Sequence, residues 1–528
     1  ACLEILAKRP FMRPTIEYYR PRNPCCTRLG PLCPMNPSCR DRRCFCCLAF
    51  SPIVSLHSSH KTRIYKFGSF ISLSMAFNSI NPATEEVLKT YKGHSVKQVK
   101  QKLARATQAQ KKWQSMDFSE RAALMNKVAK LLRRKRRVYG KLMSLEMGKP
   151  ISQAVGEVEK CAWAAEYFAQ NAETFLQPVN VKTEARKSMI SFEPLGTILG
   201  IMPWNFPFWQ VFRFAVPTIM AGNSVLVKHA SNVPQCAEMI EDIFREAGFS
   251  AGIYANALVD SSTALKLIDS PSIAAVSLTG STSAGKQVAA RAGANIKKCV
   301  LELGGSDPFV VLEDGDPFTC AEAAVKGRIV NGGQSCIAAK RFIVHQKIAS
   351  AFEENMAELF EKLVVGNPLN KKTQVGPLAR RDLVEHLEKQ LRASMKMGAR
   401  VKVGGEEWED KGFFFTPTLL TKINTRMPVF SEETFGPLAG VMPAKNDTEA
   451  IALANQTEYG LGASLWTKNF GKWNLAHAIQ AGNVFVNKNV ASDPRMPFGG
   501  VKQSGYGREL GEFGIREFVN VKGIWISK

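Results

Sequence analysis

The chain has no uninterrupted apolar run near the roughly 18 residues that a membrane-spanning helix requires. The longest candidate, CFCCLAFSPIVSL (44–56), is short and broken by Pro52. An embedded protein is therefore not expected. It also lacks an internal repeat and a long low-complexity linker, which argues against a solenoid or a beads-on-a-string array. Nothing matches GxGxxG, so no ready-made dinucleotide fingerprint is present. Past residue 74 only five cysteines remain, widely spaced, too few for a disulfide framework and suited to a reducing compartment. Acidic residues are outnumbered, 46 against 70 Lys and Arg, for a net charge of +24. That excess forms no basic stripe interleaved with aromatics. Twelve Lys/Arg against three Asp/Glu fall in residues 1–74, and the remaining +15 is spread over more than 450 residues. Only RRKRR (133–137) is concentrated, and a solvated helix face is its expected meaning. Neither a nucleic-acid nor a membrane partner is expected; the charge suits steering of small anions.

What is present is the composition of a large soluble globular protein: 528 residues, 45% hydrophobic and 22% charged, enough for two to four domains. The first 74 residues are of a different kind, holding eight of the thirteen cysteines. CPMNPSCRDRRCFCC (33–47) lacks the two paired CxxC units of a zinc site, and no metal is expected. Three readings of this leader stand, in order: upstream sequence translated ahead of a true start at Met75, a basic and acid-poor transit peptide, or a small metal-binding extension. The first implies a cytoplasmic protein and the second an organelle such as the mitochondrion.

From SINPATEEVLKTY (79–91) onward, strand-like and helical segments alternate. Residues 96–113 and 121–148 carry apolar side chains at helical spacing. TILGIMP (197–203), SVLVKHA (224–230), AAVSLTG (274–280) and CVLELGG (299–305) read as buried strands, with a helix between Pro234 and Gly248. PFVVLED (308–314), a helix over 317–330 and RFIVHQ (341–346), followed by a helix to Leu363, repeat the pattern. Strand–turn–helix units imply a doubly wound parallel sheet, in which ligands bind beyond the carboxyl ends of the strands. Asn205, Lys228, residues 279–284 and Glu302 occupy such ends.

NGGQSCIAAKR (331–341) places Cys336 behind two glycines in polar surroundings. It is either a small apolar filler, the commoner case, or a nucleophilic thiolate. LTGSTSAGKQV (278–288) would let backbone N–H groups approach a pyrophosphate at a helix N-terminus, or is simply a tight turn. Glu302 in LELGG is either ion-paired or, if partly buried, a base of raised pKa. Asn205 in MPWNFP is an amide held between prolines and aromatics, or part of a proline-rich turn packing Trp204. A thiolate, an amide donor and a carboxylate are the parts required for covalent aldehyde oxidation with a nicotinamide acceptor.

Six motifs occur in order: PWNFP, LTGST with Gly285, LELGG, NGGQSC, EETFGP (432–437) and PFGGVKQSGYGREL (497–510). On these the chain resembles the aldehyde dehydrogenase superfamily from about Ser79 to its C-terminus. The resemblance implies Cys336 as nucleophile, Glu302 as general base, and Asn205 with the Cys336 backbone N–H as oxyanion donors. It implies Lys228 at the adenosine ribose, Gly280 and Ser281 at the pyrophosphate, Trp204 lining the cofactor cleft, and Glu433 with Phe435 at the nicotinamide ribose. The fold it implies is an α/β one: a doubly wound cofactor domain (75–178 and 195–302), an α/β catalytic domain (303–500) and a bridging β element (179–194 and 501–528) that joins a homo-oligomer, dimer or tetramer. Many NAD-specific members carry a glutamate where Ser231 stands. A hydroxyl there, near Lys228, tolerates a 2′-phosphate, so NADP is expected over NAD, with dual use as the alternative.

Arg213, eight residues after Asn205, needs a partner in apolar company: a substrate carboxylate or a protein acid. Its position, with Trp209 and Ser492, resembles that of the substrate-tunnel residues in bacterial-type succinate-semialdehyde dehydrogenases. Some of these carry a second arginine where Val330 stands, which leaves Arg328 as the nearby cation. Some carry a second cysteine where Ala338 stands, so no redox disulfide is expected here. The expected reaction is oxidation of succinate semialdehyde to succinate. The alternatives are a broad-specificity aldehyde dehydrogenase acting on other semialdehydes or small aliphatic aldehydes, a catalytically silent homologue, and a basic nucleic-acid binder.

Overall fold

TILGIM is apolar along almost its whole length, and SVLVKH through its central Val-Leu-Val, because they lie inside a parallel sheet covered on both faces, where alternation would expose nothing to water. The computed structural model describes residues 76–527, so the readings of the leader concern residues outside it. Within that range, a six-stranded sheet runs in the order Gly505–Tyr506, Lys298–Glu302, Ile273–Thr279, Thr197–Met202, Ser224–His229, Tyr254–Asn256. All neighbours are parallel except Gly505–Tyr506, which pairs antiparallel with Leu301 and Glu302. In chain order the first strand is Thr197–Met202. Winding proceeds to one side, then returns to the other, so the order reverses between Thr197–Met202 and Ile273–Thr279. A crevice opens there at the carboxyl ends.

A second sheet of seven strands is built from Arg400–Val403, Thr418–Thr421, Leu438–Ala444, Arg341–His345, Pro308–Val311, Gly462–Trp466 and Asn483–Val486. Only the edge strand Arg400–Val403 is antiparallel. The third sheet pairs Val519–Ile526 with Lys187–Pro194, and Lys187–Pro194 with Val179–Asn180. Residues 501–518 do not enter it. Instead Gly505 and Tyr506 close the edge of the first sheet, and the last strand of the third begins at Val519.

Two long helices, Phe118–Met147 and Ile151–Phe175, pack side by side, and the second also packs on the helix Trp209–Met220. Trp209–Met220 is buried at every position, which explains its lack of a polar face. Arg133 in the RRKRR run pairs with Glu159 and Glu166, and Arg134 and Lys135 pair with Glu246 at 2.9 and 2.6 Å. The basic run is thus a solvated face laced with protein acids. No helix among the described residues is long and apolar enough to cross a membrane. Cys161, Cys236, Cys299, Cys320 and Cys336 are all free thiols.

Candidate active site

Cys336 follows a run that only small or amide residues tolerate. Asn331, Gly332 and Gly333 all have positive φ, at 56°, 62° and 78°, which turns the chain sharply after the helix Pro317–Ile329. At Gly333 the constraint is double, because a Cβ would lie 2.3 Å from the Gly436 carbonyl. Gly305, beyond the strand that carries Glu302, packs so closely that a Cβ there would come within 2.6 Å of the Cys336 carbonyl. Lys340 secures the far side of the loop. Its buried ammonium donates to the carbonyls of Ser335, Cys336 and Ala338 at 3.0, 2.8 and 3.2 Å.

Asn205 and Cys336 come together. Asn205 Nδ2 donates to the Gln334 carbonyl at 3.1 Å, leaving its second N–H free, and Asn331 Nδ2 donates to the Asn205 carbonyl at 2.7 Å. The Cys336 backbone N–H has no acceptor among the described residues. Two uncommitted N–H donors beside a sulfur are the arrangement an oxyanion requires.

Two cavities meet at Cys336 and Gln210, which line both. The first, at the sheet crevice, is walled by Trp204, Asn205, Thr279, Gly280, Ser281, Leu303, Glu433 and Phe435. Ser281 caps the helix Thr282–Ala294, its Oγ accepting from the Ala284 N–H. A Cβ at Gly280 would meet no protein atom closer than 3.8 Å, so the space beside that turn is open cleft. Glu433 Oε1 accepts from the Gly305 N–H at 3.0 Å, and Trp204 meets Phe435 edge-on at 5.8 Å. The chemistry is that of a dinucleotide cleft: a backbone turn at a helix N-terminus for phosphate, a carboxylate for hydroxyls and apolar walls for a ring. Lys228, at the end of its strand and buried, makes no hydrogen bond or ion pair among the described residues. Ser231 is exposed three residues on.

The second cavity is lined by Lys160, Phe206, Trp209, Arg213, Val330, Asn489, Ser492 and Phe498, among others. Trp209 Nε1 and Lys160 Nζ both donate to Ser492 Oγ, at 3.0 and 2.8 Å. Arg213 is not the unpartnered cation the sequence allowed. Its Nε pairs with Glu509, its Nη2 donates to Thr279 Oγ1 at 3.4 Å and lies 3.8 Å from Glu302 Oε2, and its guanidinium lies 4.7 Å from the centroid of the Phe498 ring. The protein acid is therefore a real partner, although Arg213 still faces the cavity. Arg328 faces elsewhere, donating to the Gly333 and Thr434 carbonyls. Val330 contributes an apolar wall.

Glu302 is 2% exposed and lines neither cavity, and both its carboxyl oxygens lack a hydrogen-bond partner. Burial pushes its pKa up to about 8, Arg213 opposes the rise and Glu509 adds to it. Burial also pushes the Cys336 thiol up to about 12, against the pull of Arg213 and Lys340. A raised pKa favours the thiol, so attack as a thiolate calls for a base to take its proton.

Lys160, Gln210, Lys340 and Glu509 were not anticipated as site residues. Glu509 stands inside the quoted PFGGVKQSGYGREL run, where an acid amid glycines was the available signal. Lys160 gave none, looking like any polar position of a long helix.

A family model described as the aldehyde dehydrogenase family matches residues 71–524. A Synechocystis protein called a probable succinate-semialdehyde dehydrogenase [NADP(+)] is 46% identical over 454 residues, 86% of this chain and all of the relative. The succinate-semialdehyde dehydrogenase [NADP(+)] of Mycobacterium leprae is 43% identical over 457 residues, again 86% of this chain and all of the relative. The crystal structure of succinic semialdehyde dehydrogenase from Streptococcus pyogenes, in complex with NADP+, superposes with a TM-score of 0.84 at 35% identity, covering 86% of this chain and all of that one.

Proposed function

The chain belongs to the aldehyde dehydrogenase family, and from that premise we propose that it oxidises succinate semialdehyde to succinate with NADP as the preferred acceptor. The observation that carries this reading is the position of Cys336, where a cleft fit for a dinucleotide meets a second cavity bearing cationic and hydroxyl donors. The names of the curated relatives and of the NADP-bound neighbour point the same way.

In this mechanism Glu302, poised near the working pH, takes the Cys336 proton, and the sulfur attacks the aldehyde carbon. The oxyanion of the thiohemiacetal is held by Asn205 Nδ2–H and the Cys336 N–H. NADP, bound against Gly280, Ser281, Lys228 and Glu433, would supply the two-electron acceptor for the hydride that leaves that carbon. Once the thioester has formed, Glu302 passes the Cys336 proton to solvent; as a carboxylate again, it takes a proton from the water that attacks the thioester, releasing the acid and the Cys336 thiolate. The Glu302 carboxyl makes no hydrogen bond and lies 3.8 Å from Arg213, and this role requires it to turn toward the sulfur. Ser231 presents no negative charge to a 2′-phosphate, and the unpaired Lys228 attracts one.

The exposed apolar side chains of the third sheet, Val179, Val521, Trp525 and Ile526, support self-association through that element into a homo-oligomer. Five unpaired thiols among the described residues fit a reducing compartment such as the cytoplasm. A broader aldehyde range is the competing reading, favoured by the pairing of Arg213 with Glu509. Initial rates with succinate semialdehyde and butanal, each with NADP and NAD, separate the two. Preference for the acid aldehyde and NADP supports the proposal, and equal rates with both aldehydes overturn its substrate.

A further inference from the structure

The second cavity has an excess of donors that the protein itself does not use. Ser492 Oγ accepts from both Trp209 Nε1 and Lys160 Nζ, which occupies its two lone pairs. Its one proton has no acceptor among the described residues, so the hydroxyl is left as a free donor on the cavity wall. Lys160 Nζ directs one of three protons to Ser492, and no carboxylate lies within 4.0 Å of it among the described residues. The Trp209 ring, 4.3 Å below the ammonium, holds it in place without neutralising it. The remaining cation of the lining, Arg213, is already compensated by Glu509. Asp307 is the single carboxylate of the lining, and its Oδ1 is taken by the Gly462 N–H.

A half-buried ammonium and a hydroxyl proton, both unanswered and both on one side of a closed cavity, call for an anion. We propose that Lys160 and the Ser492 hydroxyl form a carboxylate site beside Arg213, and that Lys160, more than the compensated Arg213, discriminates for short ω-oxo acids over uncharged aldehydes. Burial and the charge of Arg213 pull the Lys160 pKa down to about 8, so it remains mostly charged at neutral pH, and a bound carboxylate would hold the proton more firmly. The inference rests on the acid-aldehyde reading above and adds a residue to it.

The test is the ratio of kcat/KM for succinate semialdehyde to that for butanal, with NADP, in the full chain and in Lys160→Met, Lys160→Gln and Lys160→Arg. Inhibition by succinate, the product, is measured beside it. Loss of a charge-assisted hydrogen bond is expected to lower the ratio by about 10- to 100-fold in the Met and Gln variants. The loss should come through KM for the acid, with a parallel weakening of succinate and recovery in Lys160→Arg. If the Met variant does not fold, Lys160→Gln decides. A parent that prefers the acid while Lys160→Met or Lys160→Gln keeps the ratio within about threefold overturns this inference and leaves the proposed function standing. A parent with no preference overturns both.

Discussion

Glu509→Gln is the substitution that tests the electrostatic core of the site. Glu302, Arg213 and Glu509 form one buried cluster in which a single guanidinium serves two carboxyls. At 3.8 Å, and at an effective dielectric near 20, Arg213 and an ionised Glu302 attract by about 4 kcal/mol. Glu509 competes for that charge and also repels Glu302 directly. Transferring a quarter to a third of the attraction to Glu302 amounts to about 1–1.4 kcal/mol, or about one pKa unit. A rate that needs ionised Glu302 rises with pH, so the parent should show a limb of kcat/KM with a midpoint near 8. In Glu509→Gln that midpoint should fall to about 7. The assay is kcat/KM for the aldehyde from about pH 6 to about pH 9.5, with folding checked by thermal melting, because an Arg deprived of its buried partner is destabilising. Glu302→Gln serves as control, expected to erase the limb and lower kcat by about 10²- to 10⁴-fold. An unmoved or raised midpoint in Glu509→Gln would refute the idea that these three groups share one charge.

The same burial has a stability consequence of opposite use. The folded state holds the Glu302 proton up to about 8 whereas an unfolded glutamate releases it near 4.5, so across that window folding is progressively penalised as pH rises. Glu302→Gln, which cannot ionise, should therefore melt higher than the parent at pH 8.5, with the gap closing at pH 5; a constant gap would argue against titration as its source. Lys340→Met removes three donors from the nucleophile loop, and kcat should fall by about tenfold or more with KM for the aldehyde little changed. Stopped-flow trapping of the thiol should show the same loss in Cys336 reactivity, whereas a purely structural role would lower only the melting temperature. Val521→Asp with Trp525→Asp places charges on the exposed apolar strand of the third sheet and should shift the species seen by light scattering toward monomer.

The parts of this molecule legible in the sequence are those whose cause is local. Buried parallel strands announce themselves as short apolar runs, and the helix read over 96–113 coincides with Val96–Trp113 because apolar spacing and the Ser95–Gln98 capping box agree. Positive φ at Gly332 and Gly333 is likewise a local demand, visible as the glycines before Cys336. What was hidden is nonlocal. Lys160 meets Ser492 across 332 residues, from a helix, Ile151–Phe175, that its mixed composition did not reveal. Arg213 posed a question that its neighbours in sequence could not answer. An arginine on an all-buried helix must have a partner, but whether protein or substrate supplies it depended on Glu509, nearly 300 residues away. The ionisation of Cys336 was hidden for a related reason. Glycines and amides look polar when written in a row, yet here Asn331 and Gln334 bond each other's carbonyls, and burial raises the pKa of the Cys336 thiol. Local chemistry thus nominated side chains for a reaction, while their charge states depend on partners that only the fold brings near.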